Sequence, residues 1–312
     1  MLEPVPVVLF VYHRLDHLRK TVEALQKNDL VDKTELIVYS DAPAKPEHQQ
    51  GVEEVRAYLS KIKGFKNVNV IAQTQNQGLA KSIVSGVTEQ INKYDRIIVL
   101  EDDLETSPYF LRFMNEALDL YKDDEKVMQV SGFTFSMGEK LPESFFVAHA
   151  PSWGWATWKR AWDHLSLDVD QHIKKIKENK LEYRFNVDDG TDFFSHLVAN
   201  KNAVLNTWAV KWYASLFLND GLCLYPQKSL VRNLGHDGSG ENCLDQNTVF
   251  AIQPMAGRIR LQKIPLLENT KARKVFCDFF RKMNGGFTKR EEKINKYKDK
   301  IRYELRKLLG RK

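Results

Sequence analysis

One alternation narrows the fold more than any other feature of this chain. Four apolar runs, at 5–12 (VPVVLFVY), 35–39 (ELIVY), 67–72 (NVNVIA) and 96–100 (RIIVL), are each followed by a stretch of helical spacing, at 15–26, 51–62, 78–91 and 108–121. Such runs, rich in β-branched residues, read as strands buried on both faces, as in parallel sheets. In the first helical stretch Leu15, Leu18, Val22 and Leu25 share a face; in the second Val52, Val55, Leu59 and Ile62 do. Strand and helix recur at roughly 30-residue intervals, which predicts an α/β fold with a doubly wound, Rossmann-like, mostly parallel sheet and helices on both faces. Ligands of such sheets bind beyond the carboxyl ends of the strands. Arg14, Asp41, Asn76 and the acids Glu101, Asp102 and Asp103 all follow a strand, so four polar loops converge on one rim.

The later sequence is less regular. Residues 127–130, 145–148 and 222–226 read as strands, and 171–180, 191–199 and 208–218 as helices. The segment 232–240 (RNLGHDGSG) reads as a glycine-rich loop, and the chain beyond Pro265 as charged amphipathic helices. The expected organisation is one unit over 1–240, in halves of about 1–125 and about 126–240, followed by a C-terminal extension over 241–312.

Charge limits the partners. The net charge of +6 comes from the end of the chain: from Lys289 onward there are eleven basic and four acidic residues, which leaves the rest at −1. A body without a basic excess argues against nucleic acid as a partner. Within 289–312, Ile294, Tyr297, Ile301, Leu305, Leu308 and Leu309 recur at helical spacing among lysines and arginines, and Phe276, Phe279, Phe280 and Met283 do so just before. These helices are expected to lie on an anionic inner-membrane surface, with packing on the body or pairing as a coiled coil as the alternatives. The start lacks a basic n-region, and no apolar run reaches the ~18 residues of a span. Cys223, Cys243 and Cys277 have no CxxC spacing and read as reduced thiols. Together these point to a cytoplasmic chain, peripheral on the inner membrane.

Chemistry concentrates in RIIVLEDDLETSPYFL, residues 96–111. Three adjacent acids closing a central strand crowd like charges on one rim, and a cation among them relieves the repulsion. Carboxylate oxygens suit Mg²⁺ or Mn²⁺, which in turn hold phosphate oxygens. The bland alternative is a polar loop before the helix start at Ser107-Pro108.

The stretch EDDLETSPYFL resembles the metal-binding signature of N-acetylglucosaminyltransferase I and its bacterial relatives, nucleotide-sugar glycosyltransferases of the GT-A fold. VVLFVYHRLDHLRKTVEAL, LIVYSDAP and NQGLAKSIVSGV resemble the first strand and helix, the second strand and a helix start of that fold, in the right order over about residues 5–240. The resemblance implies donor contacts from Arg14, Asp41, Asn76, Gly78, Lys81, Glu101 and Asp102, with Asp103 as metal ligand. Gly78 would let its loop pack closely. His236, with Asp237 beside it to orient the ring, would complete metal or diphosphate binding. Trp153 and Trp155, around Gly154, would offer a flat face to the acceptor, whereas Trp158 and Trp162, four apart, suit a helix face. The catalytic base would come from DDGTDFF: Asp192, before Phe193, fits best, with Asp189 and Asp188 as the alternatives; capping alone also accounts for Asp192. A rival segment for the base, LNTWAVKW (205–212), carries Asn206-Thr207 where an acid is expected.

The activity so implied is metal-dependent, inverting transfer of a sugar from a nucleotide-diphosphate donor to a hydroxyl of a glycan or lipid-linked glycan, in bacterial surface polysaccharide synthesis. A sugar nucleotidyltransferase would need a glycine-rich loop after the first strand, where this chain has YHRLDHLRK. A non-catalytic, membrane-associated nucleotide-sugar-binding protein is the other alternative.

Overall fold

A computed structural model describes residues 3–135, 140–238 and 255–285. Its first part alternates β1 (Val7–Val11), α1 (Leu15–Gln26), β2 (Glu35–Ser40), α2 (Gln49–Leu59), β3 (Asn67–Ala72), α3 (Leu79–Tyr94) and β4 (Arg96–Glu101). β5 (Leu104–Thr106), α4 (Phe110–Leu120), β6 (Val127–Ser131), β7 (Ser144–Val147) and β8 (Trp155–Trp158) follow. Next come α5 (Lys159–Trp162), α6 (Val169–Glu178), α7 (Glu182–Phe185), α8 (Phe193–Lys201), α9 (Ala209–Leu218), β9 (Leu222–Pro226), β10 (Val231–Asn233) and α10 (Thr270–Met283).

Eight strands form one sheet in the order β3-β2-β1-β4-β8-β6-β9-β7. The half from β3 to β4 is parallel throughout. β8 runs antiparallel to both β4 and β6, and β7 antiparallel to β9. The expected α/β architecture is therefore present, with helices on both faces. Alternation along each strand explains the layering. In β1, Val7, Leu9 and Val11 join α1, α2 and α4 on one face. Val8 and Phe10 join α3, α6, α8 and α9 on the other. β2 and β4 divide their residues in the same way.

Two features depart from the expected layout. Trp158 closes a strand and packs over α4, its indole N–H donating to Leu118 O at 3.0 Å. Trp162, four residues on, ends a one-turn helix in the opposite core. The two tryptophans therefore do not share a helix face; the backbone is extended at the first of them. The segment beginning at Arg232 is likewise not all loop, because β10 pairs antiparallel with β5.

The end of the described chain is built into the body. Phe276 and Phe279 on α10 are fully or nearly fully buried against Phe145 and Tyr225. Arg273 of the same helix is buried and bonded to Asp188 and Glu268. For 273–283, packing on the body is therefore the outcome, not a lipid-facing surface. The basic stretch 289–312, and Cys243, lie outside the described residues. Cys223 and Cys277 are buried thiols. Among the described residues no helix is long and apolar enough to cross a membrane.

Candidate active site

The carboxyl ends of β1, β2 and β4 open on a cavity of about 290 Å³. Arg14, Asp41, Asn76, Gly78, Glu101, Asp102, Asp103 and Trp153 line it, so eight of the sequence-derived site residues come together.

The acids are arranged by the strand they terminate. Glu101 is the last residue of β4, and Asp102 and Asp103 make the turn into β5. Arg14, just past β1, reaches across with one nitrogen: Nη2 donates to Asp102 Oδ1 at 2.6 Å and to Asp103 Oδ2 at 2.7 Å. The Tyr12 N–H also donates to Asp102 Oδ2, at 3.3 Å. Burial disfavours the Arg14 cation, but the two carboxylates outweigh it and hold its pKa above the ordinary value. Burial pushes the Asp102 carboxyl up, opposed by Arg14 and assisted by Asp103. Glu101 has no such cationic partner. Its carboxyl is pushed up to about 8, by burial first and then by Asp103 and Asp102. Burial and its acidic neighbours thus favour the protonated form of Glu101, while the single guanidinium offsets only one of the two charges on Asp102 and Asp103.

Two polar atoms in the cavity wall are buried without a protein partner among the described residues: Arg14 Nη1 and Ser82 Oγ. A buried guanidinium N–H left unmatched is costly. Its placement here, on the wall of an open cavity, suits a ligand oxygen.

Asp41 lines the cavity but also organises it. Its carboxylate accepts from the N–H groups of Ala42 (2.8 Å), Gln77 (2.9 Å) and Gly78 (3.0 Å) and from Asn76 Nδ2 (3.2 Å). Gly78 is held at the rim by this side chain, and Asn76 by it together with Ala42 O, to which Asn76 Nδ2 donates at 2.7 Å. The reason for glycine at 78 differs from the one expected. A Cβ there would meet nothing within 4 Å, yet φ is +72°, a conformation that favours glycine. Lys81 is exposed in the first turn of α3 and does not line the cavity, so a phosphate contact from it is not seen.

The β5–β10 ribbon brings the late loop to the acids. Leu234 N–H donates to Asp103 O at 2.8 Å, and a Cβ on Gly235 would collide with the Asp103 carboxylate. His236 follows directly, its ring edge-on to Trp153 at 5.3 Å. Asp237 pairs with His17 Nε2 at 3.1 Å; no hydrogen bond to His236 is seen. Among the described residues, no cluster of three or more His, Cys, Asp or Glu side chains is arranged to hold a metal. The donor set still fits a hard divalent ion. Asp102 and Asp103 supply carboxylate oxygens side by side, and such ions commonly take one or two carboxylates plus substrate phosphates and water.

Three sequence-derived assignments are corrected. Trp155 is 1% exposed and stacks in the core on Trp208 and Trp162, so it presents no face to a ligand. Strand alternation puts Trp155 inside, whereas Trp153 precedes the strand and reaches the cavity. Gly154 between them has φ +61° and no room for a Cβ, which would lie 2.7 Å from Val231 Cγ2. Asp192 is exposed and caps α8, accepting from Ser195 N (3.0 Å) and Ser195 Oγ (2.5 Å). Those hydrogen bonds hold its pKa below the usual carboxylate range. Asp189 is exposed, and its backbone carbonyl faces Arg281. Neither Asp192 nor Asp189 lines the cavity, and Asp188 is spent on Arg273. The rival segment is the one at the site: Asn206, Thr207, Trp208 and Ala209 form the wall.

The sequence reading missed several residues. Tyr12 Oη accepts from Ala44 N at 2.8 Å and lies 2.7 Å from His48 Nδ1, while His13 stacks on His48. Tyr12 and His13 sit between the first strand and Arg14, a position that could have flagged them. Arg56 Nη2 donates to Gln73 O and Asp41 O, at 2.7 and 3.2 Å, and nothing in its helix pattern marks that role.

The site is thus an acid-edged cavity at the strand ends of a half-parallel α/β sheet. Residues 7–182 match the family described as Glycosyl transferase family 2, more than half of the chain. The chain belongs to that family and is a glycosyltransferase by class. No curated protein matches it. Solved structures that resemble it include S. aureus TarS 1-349, at 14% identity and TM-score 0.42, with 75% of this chain and 61% of that one covered. TarS 1-349 in complex with UDP-GlcNAc gives 15% identity and TM-score 0.33, over 57% and 48%. The mannosyltransferase PcManGT from Pyrobaculum calidifontis, in complex with GDP-Man and Mn²⁺, gives 12% and 0.38, over 70% and 69%. The chain spans a quarter of the longer TarS chain and about three fifths of its 1-349 form. At these scores the likenesses add no functional weight.

Proposed function

We propose that this chain transfers a sugar from a nucleotide-diphosphate donor to an acceptor hydroxyl, with inversion and with the help of a divalent cation. The observation that carries the reading is the Arg14–Asp102–Asp103 group: two carboxylates and a guanidinium with an unmatched N–H, facing a cavity at the strand ends. The likeness of the acid stretch to N-acetylglucosaminyltransferase I belongs to the same reading.

In this mechanism Tyr12, His13 and Asp41 border the nucleoside, and Asp41 keeps the 76–78 turn in place. Asp102 and Asp103 would hold Mn²⁺ or Mg²⁺, which when bound neutralises charge on the departing diphosphate. Arg14 Nη1 and the amino-terminal end of α3 face the same negative charge. The acceptor oxygen bonds to the anomeric carbon as the carbon–oxygen bond to the diphosphate breaks. The nucleoside diphosphate leaves with that electron pair. Of the lining acids, Asp102 and Asp103 would be taken by the metal and Asp41 is held by four hydrogen bonds, so the acceptor's proton goes to the Glu101 carboxylate. His236, beside Asp103 in the chain path, is the remaining proposed metal or diphosphate ligand. A role in bacterial surface polysaccharide assembly, with 289–312 on an anionic membrane, completes the proposal; its support is the basic and apolar pattern of that stretch.

A thermal-shift panel of nucleoside diphosphates and nucleotide-sugars, with and without Mn²⁺, tests the reading. Metal-dependent stabilisation by at least one of them is expected. A flat response across the panel would remove the donor site.

A further inference from the structure

A second cavity, of about 330 Å³, adjoins the first and shares Ser152, Trp153, Thr207 and Ala209 with it. Its character is the reverse. Aromatic rings of Phe133, Phe135, Trp153, Phe193, Phe279 and Phe280 make up most of its wall, and no lysine, arginine or carboxylate lines it among the described residues. α10, the helix whose pattern suggested a lipid contact, supplies three of the lining side chains, Phe279, Phe280 and Met283.

One polar atom stands out. His149 is 4% exposed, and its ring is hydrogen-bonded through Nδ1 to Tyr225 Oη at 2.9 Å. Tyr225 Oη donates its single proton to His149 O at 2.8 Å. Nδ1 must therefore carry the ring hydrogen and donate it, which leaves Nε2 as a bare acceptor. Burial, and then Arg273, pull the pKa of this histidine down to about 3, so the ring is neutral. Nε2 makes no hydrogen bond among the described residues. The other buried hydroxyl at the wall, Tyr213 Oη, is already given to Phe185 O at 2.7 Å.

We infer that this second cavity is the acceptor site, and that it takes an uncharged acceptor unit in which a hydrocarbon group, aryl or alkyl, stands beside the hydroxyls. This inference rests on the proposed transfer reaction and narrows its acceptor. The shared wall places such a unit next to the donor cavity, with its reacting hydroxyl at Ser152 and Thr207. A second hydroxyl donates to His149 Nε2. The rest of the cavity offers apolar surface, where a fully hydroxylated sugar would lose water without replacement. Among the described residues no lysine or arginine lines the cavity and His196 is its one other histidine, so a neutral unit suits it better than a prenyl-phosphate carrier.

Full-length protein is titrated with 1-naphthyl β-D-glucoside, methyl β-D-glucoside, 1-naphthyl phosphate and farnesyl phosphate, by calorimetry and by tryptophan fluorescence. The naphthyl glucoside should bind at least tenfold more tightly than each of the others. Phe280→Ala and Ala209→Met, one opening the cavity and one filling it, should each weaken it tenfold or more, with circular dichroism melts confirming a folded chain. Equal binding of the two glucosides, preference for either phosphate, or no binding at all would overturn the inference. The nucleotide panel keeps the two readings apart. Nucleotide binding without aryl glucoside binding defeats this inference alone; the converse defeats the donor assignment.

Discussion

The two adjoining cavities share a wall of four residues and almost nothing else. In the first, carboxylates gather at a strand end and a guanidinium holds them, with one N–H left over. In the second, hydroxyls are turned back into the protein and rings face the space. The difference separates tasks. Charge that develops during transfer needs fixed, oppositely charged groups within reach. Selection of a neutral partner needs shape and dry surface. The shared wall, not either cavity alone, is where a bond between two substrates could form.

The contrast can be broken most severely at the acids. Asp103→Ala should lower turnover by about 10²–10³-fold or more, as loss of a charge-stabilising group does. Mn²⁺ binding, followed by electron paramagnetic resonance, should weaken in parallel, while the melting temperature hardly moves. Undiminished turnover with Mn²⁺ present would end the metal assignment.

The two tryptophans flanking Gly154 sharpen the comparison next. Trp155 lies in the core, so Trp155→Ala should cost about 3–5 kcal/mol of stability. Trp153, on the wall between the cavities, should cost markedly less when replaced by alanine, yet weaken ligand binding. Urea denaturation of both variants measures the difference; equal losses would mean that Trp153 is also structural.

Arg14→Met removes the cation from two carboxylates that remain. Breaking such a pair should destabilise the metal-free protein by about 3 kcal/mol. Mn²⁺ should then raise the melting temperature of the variant more than that of the parent chain, because it replaces the missing charge. A variant as stable as the parent, and no more responsive to Mn²⁺, would show that the guanidinium does not neutralise the acids.

The apolar cavity makes its own prediction in acid. His149 is held neutral down to about 3, well below the ordinary 6.5. An unfolded chain therefore takes up a proton that the folded one refuses. Stability is full above about 6.5 and falls as pH drops toward 3, by about 1.4 kcal/mol per pH unit for this one group. His172, pulled down to about 4 by burial, falls in the same direction. His149→Gln should make the slope shallower between pH 6 and 4; an unchanged slope would mean that the imidazole is not dry.

The sheet's two halves explain what the sequence could tell. From β3 to β4 every strand is parallel and has its own helix; β1, β2 and β4 are buried and the edge strand β3 is largely exposed, yet apolar runs and helical spacing mark all four. The rim residues Arg14, Asp41, Asn76 and the acids were legible because a strand end fixes a loop's position. β8 was not. Its four residues, WATW, are buried between two antiparallel neighbours and read as an aromatic cluster rather than as an alternation. β5 and β10 have three residues each and pair across more than a hundred positions, a distance no local pattern encodes. The second cavity was illegible for the same reason. Its wall is assembled from the stretches 133–135 and 149–153 together with α8, α9 and α10, and only packing brings Phe280 to His149.

The smallest expected effect separates a cap from a catalyst. An aspartate before an aromatic residue at a helix start can be either, and the sequence alone does not choose. In the structure the Asp192 carboxylate is outside both cavities and already accepts two hydrogen bonds from Ser195. A group so satisfied, with its pKa held low, is a poor proton acceptor. Asp192→Asn keeps a capping side chain and should leave both turnover and stability nearly unchanged. Asp192→Ala removes the cap and should cost about 1 kcal/mol, again with turnover retained. Parallel chemical denaturation and steady-state rates for the two variants make the distinction. A loss of turnover of orders of magnitude in the asparagine variant, without a loss of stability, would return Asp192 to the reaction.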